Sequence, residues 1–152
     1  MKRISLISVK VVKEKTGLYD VPTTKISSPQ DAHTIIETVL ALNSSTVEKF
    51  GILTLNTKNA VVGIHVLTIG SLNTSIVHPR DIFQQALLNN AASIVLFHNH
   101  PSGDTTPSRE DIDITRKVCA AGEMMGIPVL DHVIVGDGEF KSLRSAGLMG
   151  GE

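Results

Sequence analysis

Apolar residues recur along this chain with two periods, and the switches between them outline a fold. Residues 3 to 13 alternate loosely and are rich in Ile and Val, which predicts a strand; the Lys15-Thr16-Gly17 turn and a segment from Pro22 to Pro29 follow it. Ser28 before Pro29 is a favoured N-cap and first-turn pair, and Ala32, Ile35, Ile36, Val39 and Leu40 then fall at helical spacing. Phe50 to Leu55 and Ala60 to Ile69 read as strands joined by Asn56-Thr57-Lys58-Asn59, a loop of hairpin length. Pro79 opens a second helix whose apolar face is Ile82, Phe83, Ala86 and Leu87. The run from Ala91 to Phe97 is almost continuously apolar, as in a strand buried on both faces, and should lie centrally in its sheet. A third helix is predicted from Ser108 to Met125, with Ile112, Thr115, Cys119, Gly122 and Met125 on one face and Gly126 ending it. Val129 to Val135 is a further buried strand, followed by the tight turn Gly136-Asp137-Gly138. Helices interleaved with strands and a hairpin predict an α/β fold, a mixed sheet sandwiched by helices. We expect one domain: residues 1–27 supply an N-terminal strand and connector, and residues 28–152 the body.

Composition narrows the setting. A chain of 152 residues can bury a sizeable core; 41% hydrophobic residues is ordinary, and 3% aromatics with no Trp makes that core aliphatic. A formal net charge of −1 offers no electrostatic footprint for nucleic acid. Lys2, Arg3, Lys10, Lys13 and Lys15 concentrate basic charge near the start, but protection of an edge strand explains them as well. The single cysteine, Cys119, excludes a disulfide framework and a sulfur-rich metal site, and fits a reducing compartment. No membrane span or signal peptide is evident, so the expected location is cytoplasmic.

The chemistry concentrates in one stretch. His98 and His100 close the central apolar run, and residues two apart on a strand point to the same face, so both rings can reach one ion. Pro101 biases His100 toward extended backbone and ends the strand there. Asp111 falls in the first turn of the helix beginning near Ser108. Singly, His98 could be a satisfied strand-end histidine, and Ser108 with Asp111 could be no more than a helix cap. Together, two imidazoles and a carboxylate at this spacing read as a zinc site with an open fourth position. Asp131 and His132 are neighbours on a buried strand and point to opposite faces; they are read as structural and left outside the site. His33, His65 and His78 carry no spacing signal.

The pattern His98-x-His100, seven residues, Ser108-x-x-Asp111 resembles the JAMM motif of JAB/MPN+ metalloproteases, and Glu48-Lys49-Phe50-Gly51-Ile52-Leu53 matches its upstream Glu-x-x-Gly element. The longer phrases His78-Pro79-Arg80-Asp81-Ile82, His98 to Asp104 and Leu130 to Gly136 resemble the bacterial RadC-like branch, from roughly Ser28 to Leu148. The resemblance implies a cytidine deaminase-like sheet with helices on both sides and Zn2+ on His98, His100 and Asp111. It further implies Glu48 as general acid and base, and Ser108 as donor to the oxyanion. Full-length RadC proteins resemble this domain preceded by a helix-hairpin-helix region that this sequence does not contain, so a DNA-binding role attached to that region is not expected here.

Three functions are compatible in outline. The first is a zinc-dependent peptidase or isopeptidase-like amide hydrolase acting on a peptide or an isopeptide-linked protein. The second is a non-catalytic RadC-like binding module in recombination, repair or mobile-element biology, which retention of Glu48 with the ligand triad disfavours. A zinc nucleobase deaminase needs His-x-Glu and Pro-Cys-x-x-Cys segments that this chain lacks.

Overall fold

The computed structural model describes residues 1–70 and 77–150. The connector 71–76 and residues 151–152 lie outside the described residues. Helix α1 (Pro29–Leu40) is followed by a single 3-10 turn, Leu42–Ser44, and then by strands β1 (Lys49–Leu55) and β2 (Val61–Ile69). After α2 (Pro79–Leu88) come β3 (Ser93–Asn99), α3 (Arg109–Met125), β4 (Val129–Val135) and the short β5 (Phe140–Ser142). The strands form one mixed sheet in the order β2-β1-β3-β4-β5. β1 is antiparallel to both β2 and β3, β3 and β4 run parallel, and β5 returns antiparallel. β3 is central and buried along its whole length, as its unbroken apolar run requires.

Alternation along the strands divides the core into two layers. Phe50, Ile52, Ile94, Leu96 and Ile134 face α2 and α3, against Ile82, Phe83, Ala86, Ile114 and Val118. Leu53, Leu55, Val95, Phe97, Val133 and Val135 face α1, against Ala32, Ile35 and Ile36. Each such side chain, fully buried, contributes about 1.5–3 kcal/mol. A parallel β3–β4 pair demands a long crossover, and α3 supplies it.

The helix starts follow from their caps. Ser28 Oγ accepts the Asp31 N–H (3.3 Å) while the Asp31 carboxylate accepts the Ser28 N–H (2.9 Å). Ser108 and Asp111 repeat the arrangement at 3.1 and 2.8 Å. α3 stops at Gly126, whose φ of 68° is the left-handed conformation glycine adopts without penalty. Among the described residues no helix is long and apolar enough to cross a membrane.

Three expectations are corrected. Residues 3–13 form no strand; residues 1–20 are exposed throughout, and the chain first meets the sheet where Lys25 bridges Ala60. β propensity without a ladder partner does not make a strand. The buried stripe of α3 is Asp111, Ile114, Thr115, Val118 and Gly122, rotated from the predicted face: Thr115 and Gly122 are retained, Ile112 and Cys119 are half-buried, and Met125 is exposed. Leu87 likewise lies outside the buried face of α2.

Candidate metal centre

His98 is the penultimate residue of β3 and His100 follows its end, held extended by a hydrogen bond from its N–H to the Val135 carbonyl (2.8 Å). Their Nε2 atoms stand 2.9 Å apart. Asp111, in the first turn of α3, places Oδ1 3.2 Å from His98 Nε2 and Oδ2 3.2 Å from His100 Nε2. Glu48, immediately before β1, completes a second set: its carboxylate and one ring nitrogen of each of His98 and His100 all lie within 4.8 Å of one another. All four residues singled out for metal and base chemistry therefore converge. Of the two carboxylates, Asp111 is buried, whereas Glu48 is half-exposed. Ser108 is exposed at the head of α3, its hydroxyl oxygen accepting the Asp111 N–H.

The hydrogen bonds fix what the rings present to this point. His100 Nδ1 lies 2.7 Å from the Asp104 carbonyl oxygen, which can only accept, so Nδ1 carries the proton and a neutral ring leaves Nε2 bare. An imidazole nitrogen, a second imidazole nitrogen and a carboxylate at about 3 Å can share a proton or hold a metal cation. Two ligands at about 2.0–2.1 Å in tetrahedral geometry stand about 3.3–3.4 Å apart, a few tenths of an ångström from what is seen, so the donor set fits a small divalent ion. Burial pushes the Asp111 carboxyl up, but hydrogen bonds donated by the His100 and His98 rings in their charged forms outweigh it and hold the group well below the ordinary carboxylate range. The hydrogen bond to Asp111 raises His100 above the usual imidazole value against the opposing effect of burial.

Three features hold the donors in place. Asn99, 1% exposed between the two histidines, points to the opposite face and accepts the Lys49 N–H at Oδ1 (2.7 Å) while its amide donates to the Val47 carbonyl (3.1 Å). These bonds grip the backbone on either side of Glu48. Gly51 has no alternative, since a Cβ there would lie 2.1 Å from the His65 carbonyl and 2.5 Å from the Phe97 ring; this accounts physically for the glycine three residues after Glu48. The turn carrying Asp104 docks on Gly136, where a Cβ would lie 2.3 Å from the Gly103 carbonyl.

Sequence reasoning missed three contributors: Asn99, Thr115 and His132. His132 is fully buried, with Nε2 2.7 Å from His98 Nδ1 and Nδ1 2.6 Å from Thr115 Oγ1. Burial, aided by the charge of His98, pushes its pKa well below the usual imidazole value. Asp131 matches its structural reading, accepting from the His132 and Arg144 N–H groups and the Ser142 hydroxyl. A concavity of about 510 Å3 between α2 and α3, lined by Phe83, Leu87 and Met125 among others, contains none of the converging residues.

A mixed sheet with helices on both faces, two imidazoles at the end of its central strand and a carboxylate on the crossover helix, defines an α/β domain of JAB/MPN type with a candidate metal centre. Comparison with known proteins agrees: the model of the RadC-like JAB domain matches residues 26–148, and the chain belongs to that family. It is 50% identical over 125 residues to a UPF0758 protein of Desulfitobacterium hafniense, covering 82% of this chain and 54% of the relative. A UPF0758 protein of Methanosarcina mazei is 48% identical over 128 residues, 84% of this chain and 55% of the relative. One from Desulforamulus reducens is 56% identical over 102 residues, 67% and 45% respectively. The chain thus spans about half the length of the curated relatives it matches.

Proposed function

We propose that this domain is a zinc-dependent amide hydrolase, of peptidase or isopeptidase type, with His98, His100 and Asp111 as ligands and Glu48 as general base. The observation that carries the reading is the approach of both Nε2 atoms to the Asp111 carboxylate at 3.2 Å, with the Glu48 carboxylate in the same cluster. A site of imidazole nitrogens and carboxylate oxygen with one position left open suits zinc, which when bound supplies the Lewis acidity that lets water lose a proton near neutral pH. Glu48, half-exposed at the mouth of β1, takes that proton on its carboxylate and returns it to the departing nitrogen. Asn99 keeps Glu48 in reach by gripping the backbone on both sides of it. Ser108 uses an oxygen lone pair to cap α3 and keeps its hydroxyl proton for the oxygen of the attacked carbonyl, so capping and oxyanion binding are compatible. The substrate class is a peptide or an isopeptide-linked protein; the net charge of −1 supplies no attraction for nucleic acid.

Glu48→Gln tests this most directly, because it keeps the side-chain shape and can no longer take a proton. Wild type and variant should both carry about one zinc per chain by elemental analysis. Hydrolysis of a peptide and isopeptide panel should fall roughly 10²–10⁴-fold in the variant. Equal cleavage by both proteins would refute Glu48 as base; equally negligible zinc in wild type, His98→Ala and Asp111→Ala would refute the centre itself.

A further inference from the structure

Behind the candidate centre lies a buried chain of polar contacts that starts and ends on the same residue. Thr115, one turn after Asp111 on α3, has Oγ1 2.5 Å from the Asp111 carbonyl oxygen and 2.6 Å from His132 Nδ1. A carbonyl only accepts, so the single hydroxyl proton points to Asp111. Toward His132 the Thr115 oxygen is therefore an acceptor, and His132 Nδ1 carries a proton. His132 Nε2 is then bare in the neutral ring, and it faces His98 Nδ1 at 2.7 Å. One proton must lie between them, and only His98 can supply it. His98 is left with a bare Nε2, the atom that faces His100 Nε2 and the Asp111 carboxylate. Water has no access to scramble the order, since His98, Thr115 and His132 are 0% exposed and Asp111 is 2% exposed.

We infer that Thr115 and His132 are positioning residues that lock the neutral His98 ring into the tautomer with its proton on Nδ1, so that its Nε2 lone pair is directed at the candidate metal position. The assignment rests on the metal-centre reading for its purpose but not for its geometry. It also gives α3 a second part in the site: its first turn carries the Asp111 carboxylate, and the carbonyl of the same residue terminates the chain that orients His98. Partners of this kind typically matter 10–100-fold in metal affinity without touching the ion.

The test reads the tautomer itself. Long-range ¹H–¹⁵N spectra of the chelator-treated full chain, at a pH where free imidazole is neutral, should show His98 and His132 both protonated on Nδ1. Thr115→Val removes the acceptor while keeping the shape; it should shift both rings toward the Nε2–H form and weaken zinc binding about 10–100-fold in a competition titration. Thr115→Ser, which restores the hydroxyl, should restore both readouts. A purely structural Thr115 would move stability without moving the tautomer. An Nε2–H His98 in the wild type overturns the inference, as does a folded Thr115→Val protein with unchanged rings and unchanged affinity. Should wild type bind no metal, the centre falls while the spectra of the same metal-free sample still decide the tautomer.

Discussion

In the proposed centre, His100 is the point at which a proton and a metal ion would compete. In the metal-free protein its hydrogen bond to Asp111 raises the imidazole above its ordinary 6.5, while that bond, with the one from His98, lowers the carboxyl below 3.8 against the effect of burial. The signs then follow from linkage. The His100 share of stability is complete below 6.5 and is lost as pH rises through the raised value; the Asp111 share is complete above 3.8 and fades as pH falls through the lowered one. Metal needs His100 neutral, so binding must expel its proton. Apparent zinc affinity should weaken by roughly tenfold per pH unit below the raised value, as one displaced proton requires. Competition titrations at several pH values measure this, and a flat profile would remove His100 from the ligand set. His98, His100 and Asp111 were legible in the sequence because period two and a helix cap place them by local rules, whereas Glu48 was reached only through the resemblance carried by its spacing to Gly51. His132 was not legible. Its face is fixed only by knowing that β4 lies parallel to β3 with Leu96 opposite His132, which puts His132 on the face shared by Leu96 and His98. Thr115 could have been found as the residue one helical turn beyond Asp111.

Among the elements, the junction of β3 with the entrance to β1 ties the fold most closely to chemistry. Asn99→Ala leaves the Lys49 N–H and the Val47 carbonyl without their side-chain partner; with Val47 exposed and Lys49 half-buried, each lost hydrogen bond costs about 0.5–1.5 kcal/mol. Because the same bonds grip the backbone around Glu48, the variant should keep its zinc and lose hydrolysis. Denaturant unfolding, metal analysis and the peptide assay together check this, and an Asn99→Ala protein with wild-type turnover would show that Glu48 needs no such grip. Periodicity located all three helices and the four long strands. It missed β5, whose three residues are too few to show a pattern, and it rotated α3. The rotation has a chemical cause: counting apolar residues favours Ile112, whereas the helix turns inward a carboxylate, Asp111, that faces the two histidines.

At the scale of the whole molecule, the described chain divides into a two-layered core and an exposed N-terminal stretch. Residues 1–20 include Ile4, Leu6, Ile7 and Val9, all more than half exposed, and the expected strand there failed because a strand needs a ladder and not only a composition. Removing residues 1–18 should change stability by no more than about 0.5 kcal/mol, as for changes away from buried features. Limited trypsin digestion should cut after Lys10, Lys13 or Lys15 before it reaches the core; a large fall in the thermal midpoint on truncation would mean that the stretch is held in solution. The core raises a different consequence through Asp111, whose Oδ2 accepts the Ser108 N–H at 2.8 Å and also faces His100 at 3.2 Å. If Asp111 is a ligand as proposed, the oxygen that starts the crossover helix is also one offered to the ion, and mass action makes occupancy and folding one equilibrium. Free metal at a hundred times its dissociation constant adds about 2.7 kcal/mol to the folded state. For a domain of this size that is a substantial fraction of the whole, so its lifetime in a cell would track the metal supply as closely as its chemistry does.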